Sequence, residues 1–415
     1  MLYFRTMLDR KKINFGCNFI EHHKRIVSSL AVVFSIVGSI CASDMDIVRL
    51  KRLIEIQSVS SWQPRDSWAD LKRLIEIQSV SSNIVEVNRA VDFLSNELGY
   101  DGLWCQIETM SDGRRVLFAA NEKTCRPDVL LSAHIDVVPA TEQSQFIPRY
   151  GNGRIYGRGA SDCKEHVVLC ARIMRELKGK ISVGTIFGSD EEIGGASTVF
   201  MLDKGYGASK IVIVLDSEQY MITTRQKGLA RYVLEKKVPP THSGMIKGTP
   251  PNALQELIQC YDSISAKIPG YEDGTWRNVM TLERINGTRR QAEMEICVRC
   301  AKIGGFAEIE NLLSREFGCV PRCLRKGEAV LLDETQQYLV NFREYMRRKW
   351  PERKVEFYHL NSSTDARHLQ RLKLPMLILG VDARGAHTAT EYVNIASIDE
   401  YADLIEDYLI NQFIR

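Results

Sequence analysis

The chain lacks a large excess of either charge. Its 415 residues carry a formal net charge of +3 at pH 7, which is too small to favour nucleic acid or an acidic membrane surface as a partner. A largely apolar run at residues 26–41 is short for a membrane-spanning helix, which needs about 20 residues. With 44% hydrophobic and 26% charged residues, the composition is typical of a globular protein. The sequence therefore predicts no nucleic-acid partner.

An even cysteine count is also missing. The chain has 11 cysteines, and an odd number in a long chain favours reduced thiols over a disulfide framework. Cys297, Cys300, Cys319 and Cys323 superficially resemble the ligands of a zinc ribbon. The alternating pattern of residues 292–298, however, predicts a strand, which sends Cys297 and Cys300 to opposite faces. We therefore favour packed or free thiols over a zinc site here.

Residues 1–44 form a leader with two possible explanations. Lys24 and Arg25 precede the apolar run, and Ala42 and Ser43 follow it, which is the pattern of an export signal with an overlong basic front. Met45 would in contrast be a sensible start for a cytoplasmic enzyme, and the odd cysteine count fits that compartment. The sequence favours the cytoplasm only slightly, and export stays open.

The length predicts more than one domain, because a single core rarely grows beyond about 250–300 residues. We expect a catalytic α/β domain, with a mostly parallel sheet flanked by helices, from residues 45–225 and 334–415. A smaller α/β domain, residues 226–333, would be inserted between them. The twelve residues LKRLIEIQSVSS occur at 50–61 and again at 71–82, which predicts a duplicated amphipathic helix. We expect one copy to pack on the catalytic domain and neither to carry chemistry.

Four apolar, strand-like runs each end at or near side chains that bind metal ions. The runs are 129–133, 182–187, 211–215 and 374–379, and they lead to His134, to Asp190, Glu191 and Glu192, to Asp216, and through a short loop to His387. The crevice beyond the carboxyl ends of parallel strands is where ligands and catalytic groups gather in such sheets. Four separate runs would not all end this way by accident, so the pattern indicates an enzyme.

These residue types suit a site with two metal ions. Two ions that share a carboxylate hold a water between them, lower its pKa towards about 7 and polarise the carbonyl that it attacks. His134 can bind one ion, and Asp136 is well placed to orient the imidazole. Asp162 lies in YGRGASDCK near a helix start and would bridge the ions. Glu191 and Glu192 are adjacent and diverge, which suits one ligand and one general base.

Four segments, LLSAHIDVVP, GRGASDCK, GSDEEIGG and GAHTATEYV, together resemble the dinuclear zinc hydrolases. That family includes aminoacylases, acetylornithine deacetylase, succinyl-diaminopimelate desuccinylase, glutamate carboxypeptidase and several dipeptidases. The resemblance covers roughly residues 71–413 and implies two divalent ions, zinc first, with cobalt or manganese as alternatives. It implies metal ligands at His134, Asp162 (bridging), Glu192, Asp216 and His387, a general base at Glu191 and a supporting carboxylate at Asp136.

The resemblance also implies that the insert is a lid through which two chains form a homodimer. The segment THSG at 241–244 resembles the motif of a lid histidine, so His242 would supply an oxyanion donor in trans. Thr364 to Arg367 resembles a segment near the substrate, which makes Arg367 a candidate for binding a carboxylate. Glu165 departs from the family pattern, because glycine is usual at that position. The insert also lacks the family's glycine pair and asparagine, so the sequence does not assign its substrate contacts.

The sequence therefore predicts a metal-dependent hydrolase that cleaves an amide bond of a small peptide or an N-acyl amino acid. A metal-bound hydroxide would attack the carbonyl, and Glu191 would pass the proton to the leaving amine. The sequence does not distinguish among deacylase, dipeptidase and carboxypeptidase activities. The alternative is a catalytically silent homologue with a binding or regulatory role; retention of the base and all five ligands argues against it.

Overall fold

Strands and helices alternate through most of the chain, as the sequence predicts. The computed structural model describes residues 67–240, 251–268 and 275–414. Its strands are β1 Trp104–Thr109, β2 Arg115–Ala120, β3 Val129–His134, β4 Arg149–Gly151, β5 Arg154–Tyr156, β6 Val183–Gly188, β7 Ile211–Gln219, β8 Met221–Gln226, β9 Gly228–Lys237, β10 Val279–Gly287, β11 Gln291–Cys300, β12 Arg322–Gly327, β13 Val330–Leu331, β14 Glu356–Leu360, β15 Met376–Gly380, β16 Ala383–Arg384 and β17 Tyr392–Asn394. Its helices are α1 Ser67–Glu76, α2 Ile84–Tyr100, α3 Lys164–Glu176, α4 Ala196–Asp203, α5 Ala253–Ser265, α6 Phe306–Phe317, α7 Gln337–Lys349, α8 Ala366–Leu369 and α9 Ile395–Phe413.

Three helices begin at an asparagine that caps their first turn. Asn83, Asn252 and Asn394 accept hydrogen bonds from backbone N–H groups at the starts of α2, α5 and α9. Such a cap satisfies a donor that has no partner within the helix. None of the described helices is both long and apolar enough to cross a membrane.

The central sheet has six strands in the order β1-β2-β6-β3-β7-β15. Strands β6, β3, β7 and β15 are parallel, while β1 and β2 form an antiparallel edge. The predicted fold class, an α/β protein with a mostly parallel sheet, is therefore confirmed.

Both faces of this sheet are buried, which explains why its strands read as continuous apolar runs. Leu131 and Ile213 face a core that includes side chains of α1, α2, α3, α7 and α9. Leu130 and Val212 face a second core that includes α4 and α8. A charged residue inside these strands would be buried at high cost, so the polar side chains concentrate at the strand ends.

The register of the parallel strands brings the predicted ligands to one edge. His134 is paired with Gly188 at the end of β6, and Ser132 is paired with Val214 of β7. Continuing that register places Asp216 level with His134. We expected Asp216 just beyond the end of a strand; β7 in fact runs on to Gln219, although its ladder with β3 ends at Val214.

A second sheet, all antiparallel, has the order β10-β11-β9-β12. Helices α5 and α6 cover one face of it and form a separate core with alternate residues of β9 and β11. These elements run from Gly228 to Gly327, inside the predicted insert 226–333, whose boundaries stay a prediction. Cys300 lies in this core, while Cys297 is buried outside it, as expected for opposite faces. The nine described cysteines are all free thiols.

The remaining described strands form two small sheets. One has the order β13-β8-β14 and the other the order β16-β17-β5-β4. The second joins β5, which directly precedes the glycine-containing segment around Asp162, to β17 near the end of the chain. It therefore ties that segment to the loop that carries His387.

Candidate metal centre

Four of the predicted side chains converge around the carboxylate of Asp162. The Nε2 atom of His134 lies 2.8 Å from Asp162 Oδ1 and 4.0 Å from Asp216 Oδ2. On the other side, His387 Nε2 lies 3.1 Å from Asp162 Oδ2 and 3.1 Å from Glu192 Oε2. We call His134 and Asp216 the inner half of the site, and His387 and Glu192 the outer half. Each oxygen of Asp162 thus faces a different half.

Backbone and carboxylate contacts fix the inner imidazole. His134 is only 2% exposed, and its Nδ1 atom lies 2.9 Å from the carbonyl oxygen of Asp136 and 3.4 Å from Oδ1 of the same residue. A hydrogen bond at Nδ1 leaves Nε2 free to bind a metal ion. Asp136 thus lies where the sequence predicts a supporting carboxylate.

Asp136 also organises the turn that carries Glu191 and Glu192. Their backbone N–H groups donate to its carboxylate at 3.0 and 3.3 Å. Ser81 Oγ donates to the same carboxylate at 2.6 Å. One buried carboxylate therefore sets the positions of His134, Glu191 and Glu192 together.

The second copy of the repeated segment, residues 71–82, is only partly helical. The sequence predicts a helix over this copy, but helix α1 ends at Glu76 and the rest, which includes Ser81, runs on without helix. Lys164 Nζ donates to the carbonyls of Leu74 and Ile77 at 2.9 and 2.8 Å and holds this stretch beside the site. Ser81 thereby supports Asp136, while the expectation that neither copy carries chemistry of its own stays a prediction. The first copy, residues 50–61, lies outside the described residues.

Glu391 holds the segment that carries Asp162, a role that the sequence reasoning missed. Its Oε1 atom accepts from the backbone N–H groups of Gly159 and Ser161, both at 3.0 Å. Its Oε2 atom accepts from Arg158 at 2.6 Å, and both side chains are buried. Glu391 lies in the segment GAHTATEYV, which the sequence analysis already singles out. Its partners lie more than 200 residues away in the sequence, so the segment alone does not reveal these contacts.

The carboxylates of the site are crowded with negative charge. Burial raises the pKa of Asp216 well above its ordinary value, and the nearby Asp162 adds to this effect. Burial also raises the pKa of Glu192. Burial alone would raise the pKa of Asp162, but hydrogen bonds from both histidines lower it. Hydrogen bonds to Asp162 and Glu192 raise the pKa of His387 to about 10. Such charge is offset naturally by divalent cations, so these residues fit metal ions.

The positions of the candidate ligand atoms also fit metal ions. Ligand atoms of His134, Asp162 and Glu192 all lie within 4.8 Å of one another. A second such group joins His134 and Asp216 with the thiol of Cys163, a residue that the sequence reasoning did not single out. Cys297, Cys300, Cys319 and Cys323 form no such group among the described residues.

Glu191, the predicted base, is paired with an arginine. Arg367 Nη1 lies 2.7 Å from Glu191 Oε1, and both side chains are buried. Asp365 lies on the other side of the guanidinium at 3.8 Å, and burial together with the charge of Glu191 raises its pKa to about 7. A substrate-binding role for Arg367 stays a prediction; in the structure its partners are protein carboxylates.

His387, one member of the outer half, lies on a loop and is open to solvent. It is 53% exposed, whereas the Glu192 side chain is only 7% exposed. The φ of 66° at His387 lies in the left-handed region that residues other than glycine rarely adopt. The loop runs from β16 to β17 and is tied to the rest of the protein by these short strands. The inner half is thus held by the central sheet, while His387 of the outer half is held by a surface loop.

The sequence also singled out His242 and Glu165. His242 lies outside the described residues, so its role stays a prediction. Glu165, the departure from the family pattern, is buried beside His166, with 2.9 Å between Oε1 and Nδ1. It is absent from the described residues that line the cavity over Asp162. Its carboxylate therefore adds no ligand at the cavity surface.

Comparison with known proteins agrees with the arrangement of these residues. The model of peptidase family M20/M25/M40 matches residues 130–411. The chain belongs to this family. Among solved structures, a metallo-carboxypeptidase of the family from Sulfolobus solfataricus superposes with a TM-score of 0.66 at 14% identity, covering 83% of this chain and 98% of that one. That likeness shows the shared M20 fold.

Two curated relatives of this M20/M25/M40 chain match over shorter stretches. A cysteinylglycine-S-conjugate dipeptidase from Corynebacterium striatum is 28% identical over 182 residues, which are 37% of this chain and 38% of that protein. The mouse N-fatty-acyl-amino acid synthase/hydrolase PM20D1 is 30% identical over 139 residues, 28% of each chain. The match therefore spans well under half the length of either protein.

Proposed function

We propose that the chain hydrolyses an amide bond of a small peptide or an N-acyl amino acid with the help of two divalent ions, zinc before cobalt or manganese. One observation carries this proposal: the two oxygens of Asp162 face two different imidazoles, His134 at 2.8 Å and His387 at 3.1 Å. A carboxylate placed in this way would bridge two divalent ions. His134 and Asp216 would hold one ion, and His387 and Glu192 the other.

The ions, when bound, would polarise the amide carbonyl and lower the pKa of the attacking water. Glu191 takes the proton of that water and gives it to the leaving amine. Its carboxylate borders the cavity together with Asp162, Glu192 and His387. Arg367 holds Glu191 on one side at 2.7 Å, which limits the directions in which the base can turn. Asp136 contacts both His134 and the turn of Glu191 and so fixes their relative positions.

The family and the names of two relatives support amide hydrolysis. One relative is named as a dipeptidase and the other as an N-fatty-acyl-amino acid synthase/hydrolase. We propose the same bond class for this chain, with no choice between the two substrate types. We also propose that a homodimer forms through the insert and that His242 then reaches the substrate carbonyl in trans. No observation favours the alternative of a metal-binding homologue without catalysis, because the candidate base and all the candidate ligands are present.

A panel of dipeptides and matched N-acetyl amino acids tests this proposal. Purified protein is assayed before chelation, after chelation and after divalent ions are restored. We expect cleavage of at least one substrate type that disappears with the chelator and returns with zinc, cobalt or manganese. A dipeptidase requires a free amino terminus on the substrate, whereas a deacylase requires an acylated one. Cleavage that persists at full rate after complete metal removal contradicts the proposal.

A further inference from the structure

A buried thiol lies beside the inner half of the metal centre. Cys163 directly follows Asp162 at the start of α3, and its side chain is fully buried. Its Sγ atom and ligand atoms of His134 and Asp216 all lie within 4.8 Å of one another. Because bonds from zinc to protein ligands are about 2.0–2.3 Å long, this spacing suits an imidazole, a carboxylate and a sulfur that bind the same ion.

Other buried cysteines have different surroundings. Cys163 and Cys170, further along α3, both pack in the core of the central sheet, where cysteine commonly serves as a small apolar side chain. Among the described cysteines, however, only Cys163 belongs to a group of three candidate metal ligands. Packing in the core therefore accounts for Cys170 but leaves the position of Cys163 beside two ligands unexplained.

A second buried imidazole, that of His166, contacts the same thiol. Its Nδ1 atom lies 3.4 Å from Cys163 Sγ. Its Nε2 atom accepts a hydrogen bond from the backbone N–H of Val381 at 3.2 Å, so the proton of the neutral ring is on Nδ1. His166 therefore donates towards the sulfur. A metal-bound thiolate accepts such a hydrogen bond, and bonds of this kind orient the ligands of metal sites.

Glu165, the departure from the family pattern, belongs to the same chain of contacts. Its Oε1 atom lies 2.9 Å from His166 Nδ1, and both side chains are buried. A glycine at this position would offer the imidazole no such partner. The carboxylate of Glu165 thus lies against His166 much as that of Asp136 lies against His134.

We propose that Cys163 is a sulfur ligand of the ion held by His134 and Asp216. This inference rests on the metal centre of the proposed function and specifies its inner half. As the metal–sulfur bond forms, the S–H bond breaks, and the proton that Sγ donates to the Leu215 carbonyl in the structure is released to solvent. Thiolate ligands select zinc, whereas imidazole and carboxylate ligands also suit manganese. The inner half is therefore more selective for zinc than the outer half.

Cobalt(II) spectroscopy tests the proposal without any need for turnover. The full-length protein is freed of metal with a chelator and then saturated with cobalt(II). A cobalt–thiolate bond adds an intense charge-transfer band in the near ultraviolet to the weaker visible bands that nitrogen and oxygen ligands give. We expect this charge-transfer band in the wild-type protein. Its absence from the fully loaded wild-type protein overturns the proposal.

Variants assign the band to one thiol. Cys163→Ala should lose the charge-transfer band and keep the visible bands, because His134 and Asp216 still bind cobalt. Cys170→Ala is the matched control, since Cys170 is a buried cysteine of the same helix, and it should keep both features. Cys163→Ser, which preserves the size of the side chain, repeats the comparison if the alanine variant does not fold. A charge-transfer band that survives removal of the Cys163 thiol overturns the proposal, because another thiol is then its source.

Competition between zinc and manganese measures the expected selectivity. Zinc-loaded wild-type, Cys163→Ala and Cys170→Ala proteins are equilibrated with increasing manganese, and elemental analysis gives the zinc that remains. Loss of the Cys163 thiol should weaken the zinc preference of one ion site by at least about tenfold, the lower end of the usual effect of changing a group around a metal site. The other site should be unchanged. Identical displacement curves for wild-type and Cys163→Ala proteins overturn the proposal.

These measurements separate the sulfur ligand from the proposed function. If no amide is cleaved but the charge-transfer band depends on Cys163, amide hydrolysis fails and the sulfur ligand stands. If amides are cleaved with metal dependence but the cobalt-loaded wild-type protein lacks the band, the sulfur ligand fails and amide hydrolysis stands.

Discussion

The two halves of the metal centre are built in different ways. The inner half, His134 and Asp216, lies on central parallel strands, and Asp136 fixes its imidazole. The outer half combines Glu192, on a turn held by the same Asp136, with His387 on an exposed loop. Both halves share Asp162. The comparison teaches that a single buried residue, Asp136, orders two of the four residues around the bridge, His134 through its imidazole and Glu192 through its backbone N–H. His387 depends on its loop instead.

Removal of either imidazole is expected to have the largest effect and to sharpen this comparison. His134→Ala and His387→Ala should each lower the metal content and abolish measurable turnover, because each removes a ligand. Stability should differ between them. His134→Ala should lower the free energy of unfolding by about 2 kcal/mol or more, since it leaves a cavity and a buried partner unpaired. For the exposed His387, a loss below about 1 kcal/mol is expected.

Elemental analysis and chemical denaturation measure the two quantities. Full occupancy by two ions in the His387→Ala protein would show that His387 is not a ligand. Equal losses of stability in the two variants would contradict the distinction between the buried His134 and the exposed His387.

Glu191→Gln should lower kcat by two or more orders of magnitude and leave the metal content intact, because it removes the proton acceptor and no ligand. Glu235→Gln, a change at an exposed glutamate on β9, is the control and should have wild-type activity. Steady-state kinetics and elemental analysis on the same preparations make the test. An active Glu191→Gln protein would remove the base from this account.

Asp136→Asn should weaken metal binding by about 10- to 100-fold, the usual effect of losing a carboxylate that supports a histidine ligand. Because Asp136 contacts His134 and the turn of Glu192, both halves should lose affinity. Competition with a chelator of known affinity measures each ion. Loss confined to one ion would show that Asp136 serves only one half.

Ser81→Ala should have the smallest effect. It removes one buried hydrogen bond to Asp136 and should cost about 1–2 kcal/mol of unfolding free energy, with both ions still bound at saturating metal. Ser82→Ala, at the adjacent exposed serine, is the matched control. Thermal unfolding of the metal-loaded proteins compares them. A stability unchanged from the control would show that the second repeat copy only packs on the domain.

Much of this architecture was predictable because its signals are local. The apolar runs predicted the central strands, and their ends predicted His134, Glu191 and Glu192 at one edge, since the ends of parallel strands meet there. Period-two alternation likewise separated Cys297 from Cys300.

The remaining features depend on contacts between distant parts of the chain. Glu391 reaches the segment of Asp162, and Ser81 reaches Asp136, across separations that no local pattern records. Arg367 likewise contacts Glu191, which lies 176 residues earlier in the sequence. The grouping of Arg231, Arg299 and Arg325 on one face of the second sheet requires the register of β9 against β11 and β12, which alternation within one strand does not supply. In each case the sequence shows the residue type, but it does not show which distant residue that side chain contacts.

Metal stoichiometry tests the central claim, that Asp162 joins two ion sites, most directly. Purified wild-type protein and Asp162→Asn are reconstituted with zinc, freed of excess ion and measured by elemental analysis. The account predicts about two ions per wild-type chain and a loss from both sites in the variant, since the bridging carboxylate serves both ions. One ion or fewer in the reconstituted wild type, or two retained in Asp162→Asn, would contradict it.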